Sequence, residues 1–349
     1  MLMERTWKAV AGALSFTMPL FAHGADWPSK PIRMIHGFTA GGNVDITARI
    51  VAQILSDGLG QPVIVDGRPG AGGTLAANLV AKAEPDGYTL FTMASGHSIS
   101  PGLYRALPYD PVNDFTMVSL VSSFPFVVAV GANSPVKSIN DLIRLAKEKQ
   151  GGATLAHAGV GTGMHMSGVL LQTRTAARFN EVPYKGGTAA PLAAVQGEVT
   201  AVFDTPAGME ALIQGGKLRP LAITFAQRWS NWPEVPTVAE TVSPGFEVKG
   251  WLALAGPKNM PRPIVARIVE VLHKGLARQD VIDRLRQLGT GAAPTQPAET
   301  KRTAAGGLSR SPADRAGQVQ DHLNQMTRPQ ARRLTIRSCS RISRGRLGA

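Results

Sequence analysis

The sequence predicts an α/β protein of two lobes, each built on a mostly parallel sheet with its helices packed against it. Short apolar runs alternate with segments of helical period from Lys30 to Leu288, the pattern of strand–helix–strand units. A chain of 349 residues with 44% hydrophobic content is long enough to form two cores. Its 38 Gly and 25 Pro, with only 17% charged residues, fit many loops and exclude a coiled coil or a wholly disordered chain.

The first unit starts with an apolar strand over Pro31–Phe38. A loop of small residues, Thr39-Ala40-Gly41-Gly42-Asn43, leads into a helix whose apolar positions are Ile46, Ile50, Val51, Ile54 and Leu55. Asn43 is expected as its N-cap, Asp45 lies in the first turn where the helix dipole favours an acid, and Gly60 is suited to closing it. A strand over Gln61–Asp66 follows, then a turn, a helix over Thr74–Ala83 with Leu75, Leu79 and Val80 inward, and a strand over Tyr88–Ala94.

The second lobe repeats this plan. Strands are expected over Phe124–Val130, Ala153–Ala158, Phe179–Val182, Val199–Phe203 and Leu218–Thr224. Helices are expected over Ser138–Gln150, Met164–Thr173, Thr188–Val195 and Ala207–Gln214. A strand over Phe246–Ala255 returns the chain to the first lobe, where two helices, Ile264–Leu276 and Gln279–Leu288, complete it.

The amino terminus has the three parts of a secretory signal. Arg5 and Lys8 precede an uncharged apolar run, Ala9–Phe21, and Ala22-His23-Gly24 offers small residues for cleavage after Gly24. The run is well short of the roughly 20 residues that span a bilayer. The mature chain is expected to work outside the cytoplasm. The single cysteine, Cys339, excludes an intrachain disulfide and any zinc site of clustered cysteines.

The formal charge of +13 is concentrated at the carboxyl end. Ala298–Ala349 holds 11 basic and 3 acidic residues, leaving 26 basic and 21 acidic in the body. The body therefore carries no nucleic-acid signature. The segment from Thr300, rich in Arg, Ser, Gly and Ala, reads as a solvated disordered tail.

Two strand-to-helix loops stand out, Thr39–Asn43 in the first lobe and Gly159-Val160-Gly161-Thr162-Gly163 in the second. Loops of this kind sit at the carboxyl ends of strands, where α/β sheets bind ligands, and helix amino termini supply free N–H donors. Two such loops facing each other could hold the two ends of a small dicarboxylate without an arginine, although glycine also serves purely structural ends. Nucleotide signatures fail: Gly70-Ala71-Gly72-Gly73-Thr74 has no P-loop lysine, and Leu75 replaces the last glycine of the dinucleotide fingerprint. There is no Gly-x-Ser-x-Gly elbow and no His-Glu-x-x-His helix, and His97, His157 and His165 form no diagnostic spacing with Asp45 or Asp204.

From Trp27 to about Gln296 the chain resembles the tripartite tricarboxylate transporter receptors, the Bug family of periplasmic binding proteins. The matching segments, in order, include Trp27-Pro28-Ser29-Lys30-Pro31, Gly41-Gly42-Asn43-Val44-Asp45, Arg68-Pro69-Gly70-Ala71-Gly72-Gly73, Pro85-Asp86-Gly87-Tyr88, Leu107-Pro108-Tyr109-Asp110-Pro111, Val182-Pro183-Tyr184-Lys185-Gly186-Gly187, Phe203-Asp204 and Val235-Pro236-Thr237. The resemblance implies a type II periplasmic-binding-protein-like fold with a ligand cleft between lobes, open and closed states, no catalysis and no cofactor or metal. It implies a monomeric receptor that captures a small carboxylate (a di- or tricarboxylate, an acidic amino acid or an aromatic acid) for membrane permease subunits. An orphan receptor feeding a sensor system is the alternative, and a carboxylate-processing enzyme a more distant one.

Carried onto this chain, the ligand-binding residues implied are Thr39, Ala40, Gly41, Gly42 and Asn43 in the first loop. Gly161, Thr162, Gly163 and His165 belong to the second, and Ser95, His97 and Asp204 line the cleft. Asp45, an acid that would repel a carboxylate, is expected to brace the first loop. The chain departs from the family at Thr205, where Asn is usual, and at Gly163 and Met164, where Ser or Pro is usual. The expected division is a signal peptide over 1–24, the first lobe over 25–123 and 246–299, the second over 124–245, and a basic tail, disordered or frame-shifted, over 300–349. That tail lacks the Trp-bearing final helix of the family.

Overall fold

The computed structural model describes residues 27–104, 106–148, 152–186 and 188–306. The signal-peptide segment and the basic tail beyond Gly306, including Cys339, lie outside these residues.

The chain begins with β1 (Ile32–His36), α1 (Asn43–Leu59), β2 (Val63–Gly67), α2 (Thr74–Ala81) and β3 (Thr89–Ala94). β1 pairs in parallel with both β2 and β3. Ile32, Met34, Ile35 and His36 are all buried, as expected for a strand covered on both faces. A four-residue α3 (Ser100–Leu103) leads to the long β4 (Phe115–Pro125). This strand is missing from the sequence reading, which began at Phe124.

At Phe126 the chain leaves the first sheet, and β5 (Val127–Gly131) opens the second. There follow α4 (Ile139–Glu148), β6 (Thr154–His157), α5 (Gly163–Thr175), β7 (Asn180–Pro183), α6 (Ala189–Gln196), β8 (Ala201–Asp204), α7 (Pro206–Gln214), β9 (Leu218–Ile223) and α8 (Val238–Thr241). β10 (Lys249–Pro257), α9 (Arg262–Leu276), α10 (Gln279–Gln287), β11 (Gly291–Ala292) and α11 (Pro297–Gly306) then complete the first lobe. The strand orders are β11-β4-β10-β3-β1-β2 and β7-β6-β8-β5-β9.

Neither sheet is mostly parallel: two of five pairings are parallel in the first and two of four in the second. β10 runs antiparallel to β3 and β4, and β5 antiparallel to β8 and β9. The two crossings between lobes are tied together at Thr224. Its Oγ1 accepts from the Phe126 amide at 2.9 Å and donates to the Val248 carbonyl at 2.7 Å. Its amide donates to the Phe126 carbonyl at 3.0 Å, and its carbonyl accepts from the Val248 amide at 2.9 Å.

One face of the first sheet packs Ile32, Met34, Ile54, Leu55 and Leu90 against Ile268 and Leu272 of α9. Each such side chain contributes about 1.5–3 kcal/mol on burial. The other face carries Ala76, Ala77 and Val80 of α2, with Ala304 of α11 in the same cluster.

Four local expectations differ from the structure. The N-cap of α1 is Gly42, and Asn43 is the first helical residue, its Oδ1 accepting from Thr47 Oγ1 at 3.4 Å. Leu75 and Leu79 are exposed at 59% and 37%, because the small residues Ala76 and Ala77, with Val80, face the sheet. The expected Phe124–Val130 strand is broken at Phe126, where the chain changes sheets. The expectation of a disordered stretch from Thr300 fails for residues 300–306, which lie in α11. There Thr300 is fully buried, its hydroxyl 2.8 Å from that of Thr295, and Ala304 is buried too. Two small inward residues one turn apart leave no apolar stripe to read. The Gly60 cap was legible: it has φ 71° and its amide returns to the Ser56 carbonyl.

Candidate functional site

The loops after β1 and β6 share one construction. His36 ends β1 and His157 ends β6, and each ring's Nδ1 accepts the amide N–H two residues on, Phe38 at 3.4 Å and Gly159 at 3.2 Å. The third residue of the next helix then reaches back to a glycine four residues earlier. Gly41 N–H donates to Asp45 Oδ2 at 3.0 Å, and Gly161 N–H donates to His165 Nδ1 at 3.3 Å.

Each brace has its own buried support. Asp45 Oδ1 lies 3.2 Å from His36 Nε2, and Arg49 closes on the same carboxylate from one helical turn away. Burial pushes the Asp45 carboxyl up, but the Arg49 guanidinium, the Gly41 amide and His36 together hold it below the usual range. Burial holds His36 low against the pull of Asp45. In the second lobe, His165 Nε2 lies 3.1 Å from Glu181 Oε2, and Gln172 Nε2 donates to Glu181 Oε1 at 2.9 Å. The side chains of His165 and Glu181 are almost fully buried.

His157, His165 and Glu181 bring ligand-type atoms within 4.8 Å of one another. The donor set nevertheless does not suit a metal ion. Both Nδ1 atoms accept amide protons, so each neutral ring carries its own proton on Nε2, the nitrogen a metal would need. The cluster holds the loop. Burial keeps His157 neutral by lowering its pKa to about 4.

Between the loops lies a cleft of about 600 Å³, counting its open mouth. Thr39, Gly42, Asn43 and Val44 line it from the first loop, and Thr162, Gly163 and Met164 from the second. The first intrahelical bonds run from Ile46 to Gly42 and from Met166 to Thr162. The amides of Asn43, Val44, Gly163 and Met164 therefore precede any helical partner, and both helix dipoles present their positive ends here. Thr162 caps α5, its Oγ1 accepting from His165 N–H at 3.3 Å and donating to the Gly159 carbonyl at 2.7 Å. Phe38, Phe124, Phe126 and Leu252 supply apolar walls, and among the described residues the lining contains no Lys, Arg or His.

Asp204, at the end of β8, is the one acid in this lining among the described residues. Its Oδ1 accepts from the Thr205 amide at 2.6 Å and the Thr205 hydroxyl at 3.3 Å. Oδ2 is buried and has no partner among the described residues. Burial pushes its pKa up to about 7, against the pull of the two Thr205 contacts. Thr205 serves twice, since its side chain also caps α7 by accepting from the Gly208 amide.

The lobes touch at both sides of the cleft. Thr39 Oγ1 donates to the Lys185 carbonyl at 3.4 Å. On the other side a Cβ added to Gly96 would stand 2.7 Å from the Gly161 carbonyl oxygen, so the backbones meet only because Gly96 has no side chain.

Of the site residues expected from sequence, Thr39, Gly42, Asn43, Ser95, Thr162, Gly163 and Asp204 lie together on the cleft wall. Ala40, Gly41 and Gly161 belong to the loops without lining it. His97 and His165 are corrections. His97 is buried in the first-lobe core, stacked on Tyr109 and edge-on to Phe115, with Nε2 bonded to the Pro111 carbonyl at 2.8 Å. His165 lies beneath its loop rather than in the cleft, because the third residue of a helix points back under the turn before it. Sequence reasoning missed Phe38, Phe124, Phe126 and Leu252. The Phe124-Pro125-Phe126 run at the lobe crossing is the signal that could have found two of them.

Two α/β lobes with helix amino termini facing one cleft are an architecture suited to a receptor for small solutes. The model of the tripartite tricarboxylate transporter family receptor matches residues 47–313, and the chain belongs to that family of periplasmic solute-binding proteins, which are not enzymes. The match continues past the Gln296 at which the sequence resemblance was expected to stop. The chain is 37% identical over 272 residues to a UPF0065 protein in the tcbD-tcbE intergenic region of Pseudomonas sp. strain P51, covering 77% of this chain and 81% of the relative. It resembles the structure of R. palustris Rpa4515 with adipate at TM-score 0.80 and 32% identity, covering 84% of this chain and 99% of the other. It also resembles MatC from Rhodopseudomonas palustris with bound malate at TM-score 0.72 and 30% identity, covering 86% and 98%. Among the described residues no helix is long and apolar enough to cross a membrane.

Proposed function

We propose that the protein captures a small aliphatic carboxylate between its two loops and delivers it, in the closed form, to the permease subunits of a tripartite transporter. The observation that carries this reading is the pairing of two helix amino termini across a cleft with apolar walls and, among the described residues, no basic side chain in its lining. Backbone amides stabilise an anionic group at each end, and Phe38, Phe124, Phe126 and Leu252 suit the methylenes between. The adipate of Rpa4515 and the malate of MatC are ligands of this class in related structures. The basic, apolar and small-residue layout of Met1–Gly24 supports export through a cleaved signal.

Closure follows from differential affinity: a ligand that touches both loops favours the form in which they approach. A thermal-shift screen of the protein against aliphatic mono-, di- and tricarboxylates tests the reading. A ligand at about 100 times its dissociation constant stabilises by about 2.7 kcal/mol. The expected result is a rise in melting temperature with one or more acids and none with the matching amides. A cooperative transition that no carboxylate shifts contradicts the proposal.

A further inference from the structure

A ligand bearing two carboxylates would enter a cleft whose wall, among the described residues, offers no cation and one acid, Asp204. Asp204 lines the cleft and its carboxyl group is almost wholly buried, with Oδ1 committed to Thr205 and Oδ2 without a partner among the described residues. Among the described residues, the elements around it present no compensating charge. Val127 of β5 stands opposite in the sheet, and Thr205 and Gly208 of α7 sit beside it. His157, on the neighbouring β6, is engaged with Gly159, His165 and Glu181 instead. An ionised Asp204 beside an ionised ligand would place two like charges in a desolvated site, an arrangement in which one carboxyl holds its proton.

We infer that Asp204 is a specificity-determining residue that binds its ligand as a carboxylic acid, donating its proton to one oxygen of the bound carboxylate. Above neutral pH, binding takes up a proton from solvent. The inference rests on the carboxylate reading above. It adds that the cleft selects a hydrogen-bond acceptor at the Asp204 end and rejects a ligand that has none there. Burial, which pushes the free carboxyl up to about 7, acts in the same direction.

The test is calorimetric titration of the wild-type protein with adipate and with malate at about pH 6 and about pH 8, each in two buffers of different ionisation enthalpy. For whichever acid binds, uptake approaching one proton is expected near pH 8 and little near pH 6, with affinity falling about tenfold per pH unit above neutrality. Asp204→Asn, whose amide donates without titrating, is expected to bind with no proton uptake and a flat pH profile. Its melting transition reports whether it folds, and the wild-type uptake needs no variant. Binding with no proton uptake at pH 8, or a pH profile unchanged in D204N, overturns the inference and leaves the carboxylate reading standing. If neither acid binds at pH 6 and the wider carboxylate panel is also silent, the carboxylate reading falls and this inference with it.

Discussion

Asp45 and His165 hold equivalent places in the two lobes: each is the third residue of the helix after its loop, and each accepts the amide of the glycine four residues before it, at 3.0 and 3.3 Å. A carboxylate oxygen does this in one lobe and an imidazole nitrogen in the other. Both leave the amides at the helix start free to face the cleft.

Removing the second brace should therefore weaken binding more than its distance from the cleft suggests. His165→Ala leaves the Gly161 amide without its acceptor and takes a neighbour from Glu181, a loss of about 1–3 kcal/mol in stability. It is also expected to weaken ligand binding at least tenfold. His165→Asn places an oxygen near the former Nδ1 and should recover most of the affinity. Urea unfolding and a binding isotherm for both variants check this; equal affinities for H165A and H165N would contradict it.

Asp204 lowers stability at neutral pH. Its carboxyl titrates near 3.8 when unfolded and near 7 in the fold, so between those values the native state holds the extra proton and stability falls as pH rises. The cost, fully developed above pH 7, is on the order of 4 kcal/mol. Asp204→Asn should therefore be more stable than wild type at pH 8 and no more stable at pH 4, as read by urea midpoints at the two pH values.

The buried histidines act in the other direction. His97 titrates near 4 in the fold because burial outweighs its bond to the Pro111 carbonyl, against 6.5 unfolded. Its contribution is complete above about pH 6.5 and is lost as pH falls towards 4, by roughly 3 kcal/mol at the lower end. His97→Gln, which keeps a donor for that carbonyl, should flatten the acid limb of the stability curve relative to wild type. An unchanged limb would place the acid sensitivity elsewhere.

Lobe closure depends on a missing side chain. In Gly96→Ala a methyl group would stand 2.7 Å from the Gly161 oxygen, so the lobes must stay slightly apart. The variant should melt close to wild type without ligand, bind about tenfold or more weakly, and keep a larger radius of gyration at saturation in small-angle scattering.

Much of this frame was legible in the sequence because it rests on local signals. The small-residue loops at Thr39–Asn43 and Gly159–Gly163, and the cap at Gly60, were readable from residue type alone. Three kinds of feature were not. Leu75 and Leu79 look like a helical core stripe, yet the sheet accepts only the small face of α2. The strand β10 was read from Phe246–Ala255, but its antiparallel pairing with β4, most of which was missed, is a long-range contact that no local period encodes. His97 and His165 carry the residue type of a binding site, but one is stacked in an aromatic core and the other lies beneath its loop. Burial, which depends on the whole chain, separates a histidine that touches ligand from one that holds the loop.

The most direct test of the central claim is an NMR titration of the amide-labelled protein with the carboxylate that gives the largest thermal shift. The account predicts that the amide resonances of Gly42, Asn43, Gly163 and Met164 move together, at one affinity, while those of the outer helices α9 and α10 stay in place. Shifts confined to one loop, or to residues away from the cleft, would contradict capture of the ligand between the two helix amino termini.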